Sequence, residues 1–178
     1  MTWIRLLRLI LGAKGRTRLG FFDESDLSFV VLPTDLDFNL HMNNARYLAV
    51  MDLGRLDLVL RTGLLPLLWR EKLKPVMGAA QIRFRRPLAP FQRYRLRSRL
   101  VGWDDRWFYL EQRFERQGTV LCTALVKAAF LKTGGRSRPA DVVGLVGWSA
   151  PPPPVPAWVS GWKAFDAGLD KDMAPAGS

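Results

Sequence analysis

Thr34-Asp35-Leu36-Asp37-Phe38-Asn39-Leu40-His41-Met42-Asn43-Asn44, with the apolar-rich residues 45–60 behind it, is the stretch on which the chain is organised. Run extended, it alternates: Asp35, Asp37, Asn39 and His41 point one way, and Leu36, Phe38, Leu40 and Met42 point the other and anchor on a core. The only histidine of the chain then lies beside a carboxylate and an amide. Asn43 and Asn44 are good N-cap residues, so a helix starts here and its free N–H groups favour negative charge close to those side chains. Asp and Asn are also ordinary turn and cap formers, and a lone histidine is often structural, so residue types alone leave open a plain loop leading into a helix.

Outward from this stretch the pattern is regular. Residues 44–62 carry Tyr47, Leu48, Val50, Met51, Leu53, Leu56, Val59 and Leu60, which occupy most of a helix circumference and predict a largely buried helix. Asp57 and Arg61 stand four apart on whatever face stays wet, and Gly63 suits the position past the end. Residues 64–71 predict a second short helix. Residues 27–32 read as a first strand, and 75–85, 93–101, 107–116 and 119–131 as four more. One early helix followed by four long strands with short turns predicts an α+β domain, an antiparallel sheet wrapped around a central helix. A hairpin pairing Val101 with Trp107 sets Ser98 opposite Leu110 and Tyr94 opposite Phe114. It also sets Arg97 opposite Glu111 and Arg93 opposite Glu115, so the alternating row Arg93, Arg95, Arg97, Arg99 reads as a partly neutralised sheet face rather than a phosphate-binding one.

Composition narrows the function classes. The 178 residues suit one domain plus tails, and 48% hydrophobic content supports a real core. The single cysteine, Cys122, excludes an internal disulfide framework and sits in an apolar run as a small buried residue. No Cys/His cluster exists, so no metal site and no cofactor is expected. A net charge of +11 suggests an anionic partner, such as an acidic membrane face or a phosphorylated ligand like coenzyme A. Nucleic acid is not expected, since no motif for it is present.

The division expected is an amphipathic segment over 1–20, a domain over 21–135 and an extension over 136–178. In the first, Trp3, Leu6, Leu7 and Ile10 share a helical face with Arg5 and Arg8 opposite. That segment is too short to span a bilayer, which leaves two fates: docking on the domain or a partner subunit, or lying at a membrane interface through residues 1–12. In the extension, residues 139–146 predict a short helix begun by Pro139, and 151–154 a polyproline spacer. Trp158, Trp162 and Phe165 predict a helical face packed on the body, and the chain from Asp170 onward is expected to be disordered.

Asp37-x-Asn39-x-His41-x-Asn43-Asn44-x-x-Tyr47 resembles the active-site segment of hotdog-fold acyl thioesterases, the plant acyl-carrier-protein enzymes among them. The likeness extends over roughly residues 27–165. It includes Leu36-Asp37, the run His41-Met42-Asn43-Asn44-Ala45-Arg46-Tyr47-Leu48, and Leu100-Val101-Gly102-Trp103-Asp104-Asp105-Arg106 with Phe108-Tyr109-Leu110-Glu111. The resemblance implies hydrolysis of acyl-CoA or acyl-carrier-protein thioesters, with Asp37 as general base or nucleophile and Asn39 and His41 orienting water or polarising the carbonyl. Asn43, Asn44, Tyr47, Arg85 and Arg86 are the substrate-binding candidates. It further implies a homodimer or tetramer with each site drawing on two subunits, and a cytoplasmic protein, with peripheral membrane contact through residues 1–12 as an added option. The sequence departs from the plant enzymes after Phe84-Arg85-Arg86, where Pro87-Leu88 stands in place of their Glu-Cys pair. A hotdog protein that binds acyl-CoA or lipid without turnover is the alternative.

Overall fold

The computed structural model describes residues 2–13, 15–151 and 153–172. In chain order the elements are α1 (Thr2–Ala13), β1 (Ser25–Val30), a 3-10 turn (Pro33–Asp35), α2 (Asn44–Arg61) and α3 (Leu64–Arg70). Then follow β2 (Lys74–Phe84), β3 (Arg93–Trp103), β4 (Phe108–Arg116), β5 (Thr119–Lys132), β6 (Gly135–Ser137), α4 (Pro139–Gly144) and α5 (Ala157–Asp172). The sheet is antiparallel in the order β1-β3-β4-β5-β2, with β6 added to β5, and α2 lies on it as the hotdog resemblance implies. Each predicted strand and helix exists, with ends moved by at most two residues. The expected disordered tail is helical through Asp172, and residues 173–178 and Pro152 lie outside the described residues.

The β3–β4 register differs from expectation. Ser98 lies opposite Gln112 instead of Leu110, and Arg97 opposite Arg113 instead of Glu111. The cause is local: β3 continues to Trp103, and the turn is made beyond it by Asp104, whose Oδ1 accepts the N–H groups of Arg106 (2.9 Å) and Trp107 (2.8 Å). A bulge between Leu100 and Gly102 absorbs the extra residue. Because the displacement is even, side chains keep their faces and the apolar pattern survives. The arginine row is neutralised partly by groups the hairpin does not contain and partly by carboxylates of β4. Arg95 pairs with Asp26 of β1, Arg97 with Glu24 (2.6 Å) and Glu115 (2.9 Å), and Arg99 with Glu111 (3.3 Å). Arg93 makes no ion pair among the described residues.

The helix meets the sheet most closely at Gly54. A Cβ built there would stand 2.3 Å from Ser98 Oγ and 2.9 Å from Gln112 Nε2. Buried Gln112 donates to Met51 C=O (2.9 Å) and Ser98 Oγ (2.8 Å) and accepts from Arg55 (2.6 Å), so a satisfied polar network sets the helix on the sheet. Around it pack Tyr47, Val50, Met51, Tyr94, Leu96, Phe114 and the buried thiol of Cys122.

Three expectations are corrected here. Asp57 is fully buried rather than wet, accepting from Ser25 Oγ (2.7 Å), Arg16 (3.1 Å) and Arg61 (3.2 Å), because α1's trailing segment and β1 cover that side of α2. In α1 the docked side is Arg5, Leu6 and Leu9. Leu9 packs with Leu27 and Leu53, and Trp3, Leu7 and Ile10 are left outside. Arg5 faces inward because Asp35 waits there with both carboxylate oxygens. In α5 the docked residues are Val159 and Trp162, with Trp158 partly covered and Phe165 exposed, since Asp166 turns toward the buried Lys127 and sets the helix rotation.

Candidate active site

The segment between β1 and α2 is not extended. Asp35 ends the 3-10 turn with its carboxylate buried, accepting Leu32 N–H (2.9 Å) and both Arg5 Nη groups (3.2 and 2.5 Å). Its carbonyl accepts Asn43 N–H (2.8 Å), which ties the start of α2 to the end of the turn. Between these anchors residues 36–42 fold back on themselves. Leu36 bridges Met42, Asp37 N–H donates to His41 C=O (2.9 Å), and Leu40 N–H donates to Asp37 C=O (3.0 Å) with Leu40 in the left-handed region at φ 59°. Asp37 Oδ1 accepts Asn39 N–H (2.9 Å), a self-made Asx turn.

This loop overturns the alternation. Met42 is buried and anchors as expected, whereas Phe38 (93% exposed) and Leu40 (67%) project outward, because a tight turn needs no strand pleat. Asp35, expected beside Asp37, is instead the buried counter-ion of α1. Asp37 and His41 do come together: the backbone bond sets them across from one another at the mouth of the turn, each half-buried, with Asn39 exposed at the tip.

The helix start lies directly behind. Asn43 is the N-cap, its side chain accepting Ala45 N–H (2.9 Å), and Asn44, exposed, opens α2. Ala45 and Arg46 N–H are taken by Asn43, while Asn44 N–H has no partner among the described residues. Tyr47 is only 2% exposed, packed edge-on to Phe84 (5.1 Å) and tilted on Phe114 (4.8 Å). Burial pushes its hydroxyl up to about 12. Burial likewise pushes the Cys122 thiol up to about 12, which removes it as a nucleophile. Arg85 and Arg86 both donate their backbone N–H to Leu121 C=O (2.8 and 3.2 Å), and their side chains are exposed without an ion pair among the described residues. They stand on the connection between Phe84, which touches Tyr47, and Leu88, whose carbonyl accepts Met42 N–H (2.9 Å). All the candidates therefore share one end of the molecule, where α2 begins and β2 finishes.

An apolar cavity of about 330 Å³ lies elsewhere. It runs along the later half of α2 and α3, lined by Leu56, Val59, Leu68, Val76, Met77 and Phe130 among others, and Asp37, Asn39 and His41 take no part in it. No pattern in the linear sequence marks this cavity, since its walls come from six separate elements. Among the described residues no cluster of three or more His, Cys, Asp and Glu side chains could hold a metal ion, and no helix is long and apolar enough to cross a membrane.

The family model of the thioesterase-like superfamily matches residues 31–162. The chain is 44% identical over 91 residues to Protein THEM6 of Xenopus laevis, covering 51% of this chain and 44% of that protein. It is 30% identical over 132 residues to a probable thioesterase of Saccharomyces cerevisiae, covering 72% of this chain and 57% of the other. The matched part thus spans about half the length of these relatives. Among solved structures, a probable thioesterase from Bartonella henselae is 27% identical with a TM-score of 0.59, covering 65% of this chain and 98% of that one. A gentisyl-coenzyme A thioesterase at 20% identity superposes with a TM-score of 0.60 over 67% of this chain and 99% of that chain, a likeness of fold.

Proposed function

Because the chain belongs to the thioesterase-like superfamily, we propose that it hydrolyses acyl thioesters at the Asp37–His41 turn, with coenzyme A as the leaving thiol. In one route Asp37 takes the proton from a water that adds to the thioester carbonyl, the carbon–sulfur bond breaks, and the proton passes to the departing thiolate. In the other Asp37 attacks the carbonyl itself, expelling the thiolate to form a mixed anhydride that water then hydrolyses to the acid. His41 and Asn39 orient the water or polarise the carbonyl, and Asn44 N–H at the start of α2 faces the developing oxyanion. The observation that carries this reading is the backbone clasp of Asp37 to His41 directly ahead of the α2 N-terminus. Coenzyme A as the ligand draws support from a fold neighbour of Staphylococcus aureus, solved in complex with CoA, that covers 74% of this chain at 14% identity and a TM-score of 0.58. Arg85 and Arg86, exposed at the same end, suit its phosphates.

The separation of Asp37 from the apolar cavity is resolved by a homodimer. β2 is an edge strand eleven residues long, with one side of its ladder open and Met77 and Phe84 exposed. Two copies pairing antiparallel about a two-fold axis place the Phe84 end of one β2 against the Lys74 end of the other. The Asp37 turn accompanies the first end and the cavity mouth, at Val76 and Met77, the second. Each acyl chain would then enter the cavity of the opposite protomer. A peripheral membrane contact through residues 1–12 completes the reading.

Thiol release from a series of acyl-CoAs tests the catalytic part. Asp37→Asn is expected to lower it by about a hundredfold or more with the fold intact; undiminished release would remove Asp37 from the mechanism. Pro87-Leu88 in place of a Glu-Cys pair favours one rival, a protein that retains acyl-CoA without turnover. Ligand retained across all chain lengths with no thiol released would establish that rival.

A further inference from the structure

α1 is held in one rotation. Arg5 donates to Val30 C=O (2.8 Å) as well as to Asp35, and Leu9 is sealed against Leu27 and Leu53. With the inner side so fixed, Trp3, Ile4, Leu7, Ile10 and Leu11 form an exposed apolar arc, spread over about 120° of the helix at ~100° per residue. Arg8 sits at one rim of the arc, next to Ile4. Beyond that rim a groove of about 740 Å³ opens between α1 and the β1–β3 edge, and Ile4 and Arg8 line it.

Seven arginines line the groove; Arg5, Arg16, Arg95 and Arg97 are paired with carboxylates, and three are left over. Arg93 and Arg8 make no ion pair among the described residues, and Arg116 bonds only the side-chain amide oxygen of Gln117 (3.1 Å). The one carboxylate in the lining, Glu115, is engaged by Arg97 and Arg113. Tyr94, 2% exposed, is also among the lining residues, and its buried hydroxyl has no hydrogen-bond partner among the described residues.

We infer that this groove binds the phosphate head group of an anionic phospholipid, presented by a bilayer into which the apolar arc of α1 inserts. Arg8, at the rim, stands where the acyl region gives way to head groups, and Arg93 and Arg116 lie behind it. An apolar arc on α1 beside an arginine-lined groove suits a surface that is apolar within and anionic at its face. Nucleic acid offers the arc no apolar phase, and a second copy of a chain carrying +11 would bring like charge against the groove. The inference rests on the membrane-contact part of the proposed function and is independent of hydrolysis.

Co-sedimentation of the full chain with phosphatidylcholine vesicles, with and without phosphatidylserine, tests it. Binding is expected only with phosphatidylserine and should weaken steeply with salt. The double variant Arg8→Gln/Arg93→Gln is expected to lose roughly thirtyfold in affinity, since each arginine near an anionic surface contributes about fivefold and the two factors multiply. Leu7→Glu/Ile10→Glu is expected to abolish binding, with thermal melts showing both variants folded. Equal binding to both vesicles, unmoved by the arginine variant, would sink the groove while upholding membrane contact. No binding to either vesicle would overturn both. So would loss of an oligomer in Leu7→Glu/Ile10→Glu without vesicle binding by the parent, which assigns the arc to a second copy.

Discussion

Gly54 shows how one residue positions a site it does not touch. Its missing Cβ lets α2 approach within bonding reach of the Ser98–Gln112 pair, and that approach sets where the helix N-terminus lies relative to the sheet. Gly54→Ala is expected to cost about 1–3 kcal/mol in urea unfolding, against the slight gain that alanine brings to a free helix. Asp104 acts on the far side of the sheet. Burial raises its carboxyl, but Lys163, the N–H groups of Arg106 and Trp107, and the Tyr109 hydroxyl outweigh that and hold it at about 2. A carboxyl depressed in the folded state stabilises above its unfolded value, near 4, and loses that contribution as pH falls toward 2. Asp104→Asn should therefore flatten the pH dependence of the melting temperature between about pH 4 and 2. The component removed is on the order of 1 kcal/mol after screening by solvent.

At the scale of elements, α1 and the Asp37–His41 turn are one unit. The Arg5–Asp35 pair is nearly sealed from water, and Asp35 also fixes Leu32 N–H and Asn43 N–H, so both ends of the turn hang on one residue. Removing one member of a buried pair strands the other charge. Arg5→Ala is thus expected to destabilise by about 3–5 kcal/mol and to lower thiol release further by loosening the turn. Activity unchanged at equal folded fraction would show that the turn holds itself. α5 is held comparably, by Asp166 on Lys127 and by Trp162, whose ring lies 4.8 Å from the same ammonium group.

For the molecule as a whole, the question is which cavity serves which carboxylate. Mixing Asp37→Ala protomers with Val76→Trp protomers, whose cavity mouth is blocked, discriminates directly. If the acyl chain enters the opposite protomer, half the dimers are mixed and each carries one intact site. Mixing two inactive samples is then expected to restore about a quarter of parental long-chain hydrolysis. Continued inactivity, with mixed dimers verified by mass, would place turn and cavity in the same chain.

Periodicity made the elements legible: the circumference of α2 from Tyr47 to Leu60, the alternation along β3, the glycine past α2 and the asparagine cap before it all announce their local geometry. Those signals depend only on neighbours a few residues away, which is why they survive without a fold. Asp37 and His41 were also visible, through a motif whose residues sit within one turn. What only packing could settle involves partners far along the chain. Asp57 is buried because Arg16 and Ser25, 41 and 32 residues away, reach it. Asp35 belongs to Arg5 rather than to Asp37 for the same reason. The β3–β4 register turned on a single aspartate capping a turn, a difference too small in energy to appear in any hydrophobic pattern, and the apolar cavity exists only where six elements close around it.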